Sequence, residues 1–342
     1  MSAPPLLIWG AGAIGGTVGA YLIRAGHEVL FVEQDADHVA AMNTTGLHIE
    51  GPIETFKVPA RAVTPDKVAG VYDRIMLCVK AHHTEDAART LLPHLSADGY
   101  VVSFQNGLNE LVIADIVGRA RTLGAFLNFG ADYMSPGVIH FGGRGAVVLG
   151  EMDGAMTPRL HDLHRLMLEF DPKAVAVPDI LGYLWGKLGY GALLFATALT
   201  NASICHALGA PEAHPLYVAL AREATAVAAG LGISPRGFNG YEPAAFRTGA
   251  APAAAEKSFA AMVAHNAKSA KTHSGIWRDL AVRRRRTEAD AQLGPIVSFG
   301  ARGNVATPVT AGLIAMIHEI EGGARPLDWK NLGELAREMG VR

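Results

Sequence analysis

The sequence predicts an α/β protein: an N-terminal Rossmann-type dinucleotide-binding domain over residues 1–178, followed by an all-α domain over residues 179–342. Three observations predict it. The first half alternates short apolar runs with helical stretches, the pattern of a parallel sheet covered by helices. A glycine-rich hexapeptide, Gly10-Ala11-Gly12-Ala13-Ile14-Gly15, lies between the first such run and the first helical stretch. After Pro178 strand signals stop, and Ala/Leu-rich helical windows run to about Gly322. With 342 residues, 50% of them hydrophobic, the chain has enough material for two cores.

Leu6 to Trp9 reads as a buried first strand, and the helix after the glycine loop stops at Gly26. Glu28 to Val32 is the second strand. Gly46 to Ala60, with Gly51-Pro52 at its centre, reads as a hairpin or a loose insertion. Arg74–Val79 and Tyr100–Phe104 are further strands, separated by a helix that begins near Thr84. Val138–Phe141 and Ala146–Leu149 are strands in a glycine-rich stretch, and a helix over 158–169 and a short strand at Ala174–Val177 close this half. In the second half, residues 248–256 read as a flexible connection between helices, and Arg325-Pro326 breaks the last long helix. Leu188 to Pro211 carries no charge and is long enough to cross a bilayer. Its Asn201, Ser203, His206 and glycines favour a buried core helix and a turn instead.

Composition excludes several classes. Thirty basic residues stand against 32 acidic ones, a net charge of −2, which gives no pull towards nucleic acid or an anionic membrane. Cys78 and Cys205 lie in apolar stretches and read as small buried residues. With only these two cysteines a cytoplasmic location is expected, and Met1-Ser2-Ala3-Pro4-Pro5, with no basic start, reads as no signal peptide. His161-Asp162-Leu163-His164 and Cys205-His206 lack partners at ligand spacing, so no metal is expected. There is no hydrolase nucleophile elbow.

The glycine loop carries the cofactor expectation. Gly10 permits the tight turn, Gly12 lets the backbone approach a pyrophosphate, and Gly15 lets the helix pack close to the sheet. The N–H groups at the helix start then hold phosphate oxygens, which assigns Gly10, Ala11, Gly12, Ala13, Ile14 and Gly15 to cofactor binding. Glu33 follows the second strand, 18 residues beyond Gly15, where an acid bonds the adenosine ribose hydroxyls. A carboxylate there repels a 2′-phosphate, and no lysine or arginine follows until Lys57, so NAD is favoured over NADP. The other reading of Glu33 is an ordinary exposed acid.

Further motifs follow in order: Val79-Lys80-Ala81, Gln105-Asn106-Gly107, Pro136-Gly137 before Val138-Ile139-His140, Trp185-Gly186-Lys187-Leu188, Thr287-Glu288-Ala289-Asp290 and Thr307-Pro308. In this order and spacing, over roughly residues 5–320, the chain resembles the ketopantoate reductase family. The resemblance implies that Lys187 is the catalytic lysine, which donates a proton to the carbonyl oxygen as hydride arrives from the nicotinamide. An ammonium polarises the carbonyl and neutralises the forming alkoxide, and burial at an apolar helix start would ease proton release. It implies that Glu288 contacts bound ligand and pairs with the lysine, that Asn106 sits beside nicotinamide and substrate, and that Lys80 lies at the cofactor edge. Each has a plainer reading: a surface lysine at a helix end, a helix-surface acid partnered by the preceding arginines, and turn residues capping the next helix.

The chain departs from the family where the substrate binds. The family carries asparagines four and eight residues after its lysine; here Gly191 and Phe195 stand there, which makes that face small and apolar and counts against ketopantoate itself. Ser274 matches a hydroxyl that contacts the substrate carboxylate, and His273 and Trp277 are candidates to line the pocket. The stretch from Asp279 to Glu288 is one residue longer than the family's, so this assignment can slip by one. Arg283–Arg286 reads as a solvated helix face with intrahelical acid partners, or as the source of one arginine for the substrate carboxylate.

The expected function is hydride transfer between NAD(H) and a small 2-oxo or 2-hydroxy acid in a cleft between the domains. The partner is a small-molecule carboxylate, not nucleic acid or membrane, and a homodimer through the helical domain is plausible. The alternatives are NADP-dependent 2-dehydropantoate reduction and, from another class, a non-catalytic NAD-sensing or scaffold protein.

Overall fold

A computed structural model describes residues 5–268 and 272–341. The expectation for residues 1–4 lies outside them. The chain divides into two compact units, Met1–Ile180 and Leu181–Arg342.

The first unit runs β1 (Leu6–Trp9), α1 (Ala13–Arg24), β2 (Val29–Val32), α2 (Ala36–Thr45), β3 (Leu47–Glu50), β4 (Phe56–Val58), β5 (Arg61–Val63), β6 (Tyr72–Leu77), α3 (Thr84–Leu91), β7 (Leu95–Ser103), α4 (Asn109–Val117), β8 (Thr122–Leu127), β9 (Gly130–Ser135), β10 (Val138–Gly143), β11 (Val147–Glu151), α5 (Pro158–Leu168) and β12 (Val175–Ala176). Its main sheet has the order β12-β11-β8-β7-β6-β1-β2-β5. Every pairing is parallel except that of β11 with β8. Alternation along β1 sends Leu6 and Ile8 into one core and Leu7 and Trp9 into the other, so the strand is buried on both faces. Strand order reverses between β1 and β6, and the open crevice at such a reversal lies outside the carboxyl ends of the strands.

Gly46 to Ala60 forms the hairpin β3–β4, but the hairpin is not an isolated insertion. β3 also pairs in parallel with β10, giving a second sheet in the order β4-β3-β10-β9. Local pattern cannot reveal this pairing, because its two partners are about ninety residues apart. An aromatic cluster joins this sheet to α1: Tyr21 meets Phe56, Phe141 and Phe170 edge-on at 5.0 to 5.8 Å. Such rings contribute beyond their burial by roughly 0.5–1.5 kcal/mol per pair. β5, too short to stand out in sequence, extends the main sheet beside β2.

The second unit runs α6 (Ile180–Thr197), α7 (Ile204–Leu208), α8 (His214–Gly230), α9 (Pro252–Asn266), α10 (Gly275–Trp277), α11 (Ala289–Arg302), α12 (Pro308–Glu321) and α13 (Lys330–Glu338). A π-helical turn, Arg278–Val282, follows α10 directly. Trp185, Phe195, Tyr217, Tyr241, Phe246 and Phe259 are buried within this unit. Residues 252–256 are the first turns of α9 rather than a flexible connection, because Pro252 suits the start of a helix. No described helix is long and apolar enough to cross a membrane.

Candidate active site

Each glycine of the loop after β1 has a visible physical cause. Gly10 has φ +99°, and a Cβ on it would lie 2.9 Å from the backbone of Cys78 and Val79. Only glycine adopts that backbone so close to a second strand. A Cβ on Gly15 would overlap the carbonyl oxygen of Gly10, so glycine is what lets α1 start against the sheet. A Cβ on Gly12 would meet nothing within 4 Å, which leaves the backbone open to approach. Gly12 is the N-cap of α1 and no side chain bonds the helix start, so the first-turn N–H groups of Ala13, Ile14 and Gly15 lie beyond intrahelical pairing.

The loop is clamped from two sides. Ala11 N–H donates to Glu33 Oε2 at 2.9 Å, while Glu33 Oε1 accepts from Gln34 and Asp35 N–H at 2.8 and 3.1 Å. The Ala11 carbonyl lies 3.0 Å from His38 Nε2, and Gly137 N–H donates to His38 Nδ1 at 2.9 Å. Since Nδ1 accepts, the ring proton is on Nε2, and His38 donates to Ala11. His38 is 1% exposed and packs edge-on against Tyr133. Tyr133 in turn donates to Asp35, the N-cap of α2, and burial with this neighbouring carboxylate raises its phenol to about 12. Sequence reading gave His38 no role. Its only signal was a histidine three residues after a capping aspartate.

Lys80 and Asn106 are both exposed, at the carboxyl ends of β6 and β7. Gln105 ties their loops together: its Nε2 donates to Val79 O at 2.8 Å and to Thr84 Oγ1 at 2.7 Å, and Thr84 donates to Asn109 at 3.0 Å. Asn109, not Asn106, secures the next helix, donating to the Asn106 carbonyl at 2.6 Å, so Asn106 is no helix cap. Half-buried Cys78 packs beneath this region, and desolvation pushes its thiol above the ordinary range.

In the second unit Lys187 is the eighth of the eighteen residues of α6, about two turns in, rather than at a helix start as expected. Tyr183, Lys187, Gly191 and Leu194 form a half-buried stripe along one face. Gly186 and Gly189 let other backbone and side chains press against the same helix: a Cβ on Gly186 would overlap Arg236 O, and one on Gly189 the Tyr241 hydroxyl. Phe195 is fully buried in the core, so it lines no pocket, contrary to the expectation from its spacing.

Glu288 is the N-cap residue of α11, and Gln292 Nε2 lies 3.5 Å from its Oε2. Its motif is anchored to α12. Glu321 Oε1 accepts from both Thr287 N–H and Thr287 Oγ1 at 2.7 Å, and His318 Nε2 lies 3.1 Å from Asp290. Neither Glu321 nor His318 was legible as a site residue, since each acts through a partner about thirty residues away. The arginine run is not a helix face: residues 284–287 are irregular and Arg284 has φ +48°. Arg283 and Arg285 pair with Asp279, and Arg286 with Asp290. The π turn just before them takes in one residue more than an α turn, which suits the longer stretch between Asp279 and Glu288.

Ser274 is buried and caps α10, accepting from Trp277 N–H at 3.1 Å; its own proton remains available for donation. His273 stacks on Trp277 at 4.0 Å and lies 3.3 Å from Asn201 O. Trp277 Nε1 donates to Asn201 Oδ1, so both rings serve to hold the Asn201 loop. Among the described residues, no three histidine, cysteine or acidic side chains group as a metal site.

Comparison with known proteins follows this geometry. Residues 6–154 match the family model described as ketopantoate reductase PanE/ApbA, and residues 179–321 match its C-terminal counterpart. The 2-dehydropantoate 2-reductase of Pyrococcus horikoshii is 30% identical, over 53% of this chain and 59% of that protein. The 2-dehydropantoate 2-reductase of Archaeoglobus fulgidus is 28% identical over 92% of this chain and 97% of its own. Among solved structures, a D-mandelate dehydrogenase with NADH and anilino(oxo)acetate superposes with a TM-score of 0.81, covering 94% of this chain and 99% of its own at 21% identity. That likeness speaks for the fold. Two family models together account for most of the chain, one for each unit, and on that ground the chain belongs to the ketopantoate reductase family.

Proposed function

We propose that this chain is an oxidoreductase that transfers hydride between NAD(H) and a small 2-oxo or 2-hydroxy acid. The observation that carries the reading is the Glu33 carboxylate, bonded to the glycine loop itself. Three backbone N–H groups fix its two oxygens beside the loop where a pyrophosphate would lie. A carboxylate offers about four acceptor sites, so roughly one remains for an adenosine ribose hydroxyl. A 2′-phosphate brought to the same place would meet a fixed negative charge. The D-mandelate dehydrogenase solved with NADH supports the same cofactor choice by analogy of fold.

The nicotinamide supplies or takes the hydride when bound. Within this reading the first-turn N–H groups of α1 hold the pyrophosphate, Lys80 borders the cofactor and Asn106 orients the reacting end. Lys187 donates the proton to the carbonyl oxygen in reduction and takes it back in oxidation. Glu288 holds the ligand, and Ser274 donates to the substrate carboxylate. A cytoplasmic enzyme that dimerises through its helical unit belongs to the same reading, and sedimentation velocity checks the dimer.

The test has two arms. Titration with NADH and NADPH, followed by tryptophan quenching, should give tighter NADH binding in the wild type, and Glu33→Ala should narrow the difference by about 10-fold or more. Tighter NADPH binding in the wild type would instead favour the NADP-dependent biosynthetic reductase. A folded Lys187→Ala variant should lose about 10²–10⁴-fold in kcat with 2-oxo acids while still binding NADH. Near-normal turnover would remove Lys187 from the mechanism.

A further inference from the structure

Three glycines follow Trp185 in α6, and packing accounts for two of them. Gly186 and Gly189 admit no side chain, because Arg236 and Tyr241 occupy the space. Gly191 is different. Beyond its own helix backbone, the one atom of the described residues within 4 Å of a Cβ placed there is Gln292 Oε1, at 3.8 Å, which is ordinary van der Waals contact. Glycine inside a helix destabilises it relative to alanine, and here nothing packed against the helix demands it. What Gly191 provides is an open step on the half-buried stripe of α6, one turn beyond Lys187. The wall of that step is an amide from another helix.

Gln292 is half-buried, one turn beyond Glu288 on α11. Its only side-chain hydrogen bond among the described residues is the long 3.5 Å approach of Nε2 to Glu288 Oε2, and Oε1 receives none. A glutamine amide has two donors and two acceptor lone pairs, so most of its bonding capacity faces the step unused. A half-buried amide in that position discriminates strongly between a ligand that can bond to it and one that cannot.

We propose that Gln292 is a specificity residue: across the space left by Gly191, its amide binds a hydroxyl on the substrate's carbon chain. That hydroxyl lies about one helical turn, ~5.4 Å, along α6 from the carbonyl oxygen that Lys187 addresses. Nε2 donates to the hydroxyl oxygen and Oε1 accepts its proton. The proposal rests on the reading of Lys187 as the proton donor. It also changes what Gly191 means: read alone, the residue makes the face apolar, but with Gln292 beside it the face keeps a hydrogen-bonding group supplied from α11.

The experiment compares two 2-oxo acids of the same carbon skeleton, one with a hydroxyl on C4 and one without, reduced by wild type, Gln292→Leu and Gly191→Ala. Gln292→Leu should lower kcat/KM for the hydroxylated acid by about 10–100-fold and leave the deoxy acid within about twofold. Gly191→Ala should raise Tm yet raise KM for the hydroxylated acid, since stability improves while the step is narrowed. Equal loss for both acids in Gln292→Leu would mean that Gln292 only steadies Glu288, and would overturn the proposal, as would no loss at all. If Gln292→Leu does not fold, Gly191→Ala decides: an unchanged ratio between the two acids overturns it. A wild type that reduces only the deoxy acid defeats the Gln292 assignment alone. A wild type that reduces neither defeats the proposed function, and the assignment falls with it.

Discussion

In the sheet unit the candidate site is made chiefly of backbone, whereas in the helical unit it is made of side chains. The glycine loop presents main-chain N–H groups, and its shape follows from Gly10, Gly12 and Gly15 within six residues. Lys187, Ser274, Glu288 and Gln292 come from elements spread over a hundred residues, each held by its own local device. Those devices are the cap at Ser274, the close packing at Gly186 and the Glu321 anchor on Thr287 beside Glu288. A backbone site tolerates almost no added atoms. A side-chain site can exchange one donor for another, as an amide on α11 facing an empty position on α6 illustrates.

Glycine substitutions break this comparison most sharply. Gly15→Ala places a Cβ onto the Gly10 carbonyl and must displace the loop. It should destabilise the chain by at least about 1–3 kcal/mol and abolish measurable NADH quenching. Gly191→Ala, as argued above, should do the opposite to Tm. If both variants were equally damaging, the contrast between a backbone site and a side-chain site would be wrong.

A smaller effect sharpens the same point within the sheet unit. His38→Phe keeps the ring but leaves Gly137 N–H and Ala11 C=O without their partner. Unpaired buried groups of this kind cost about 1–3 kcal/mol each, so Tm should fall and the NADH dissociation constant should rise together. A fall in Tm with unchanged NADH affinity would show that the loop holds its shape without the histidine.

The smallest effect concerns a polar anchor in the helical unit. Buried Glu223 accepts from Val309 N–H, Thr310 N–H and Thr310 Oγ1 at 2.9, 2.8 and 2.6 Å, capping α12 from α8. Burial raises its carboxyl above the ordinary value, and these hydrogen bonds only partly oppose the rise. A raised native value means the folded state holds the proton more tightly than the unfolded one. Its contribution is therefore complete below the unfolded value of about 4.3 and is lost as pH rises through the folded one. Glu223→Gln should flatten that loss in Tm measured from pH 4 to 8. Identical pH profiles for the two proteins would remove Glu223 as a source of pH dependence.

Much of the fold was legible because its signals are local. The apolar run Leu6 to Trp9, the glycine spacing and the Pro158 helix start each depend on neighbours within a few residues. The second sheet was not legible, since β3 meets β10 across about ninety residues and neither strand says which partner it takes. The arginine run was misread for a related reason. Its acids, Asp279 and Asp290, lie at helical distances in sequence, but an irregular segment carries the arginines between them.

By itself the sequence determined where the chain turns, which residues avoid side chains and which motifs occur in order, because backbone conformation and periodicity are properties of short segments. Only the tertiary structure decided that His38 clamps Ala11, that Phe195 belongs to the core and that Gln292 faces Gly191. These depend on which side chains distant elements bring within hydrogen-bonding or van der Waals reach. That reach is set by packing summed over the whole unit, which no short window of sequence contains.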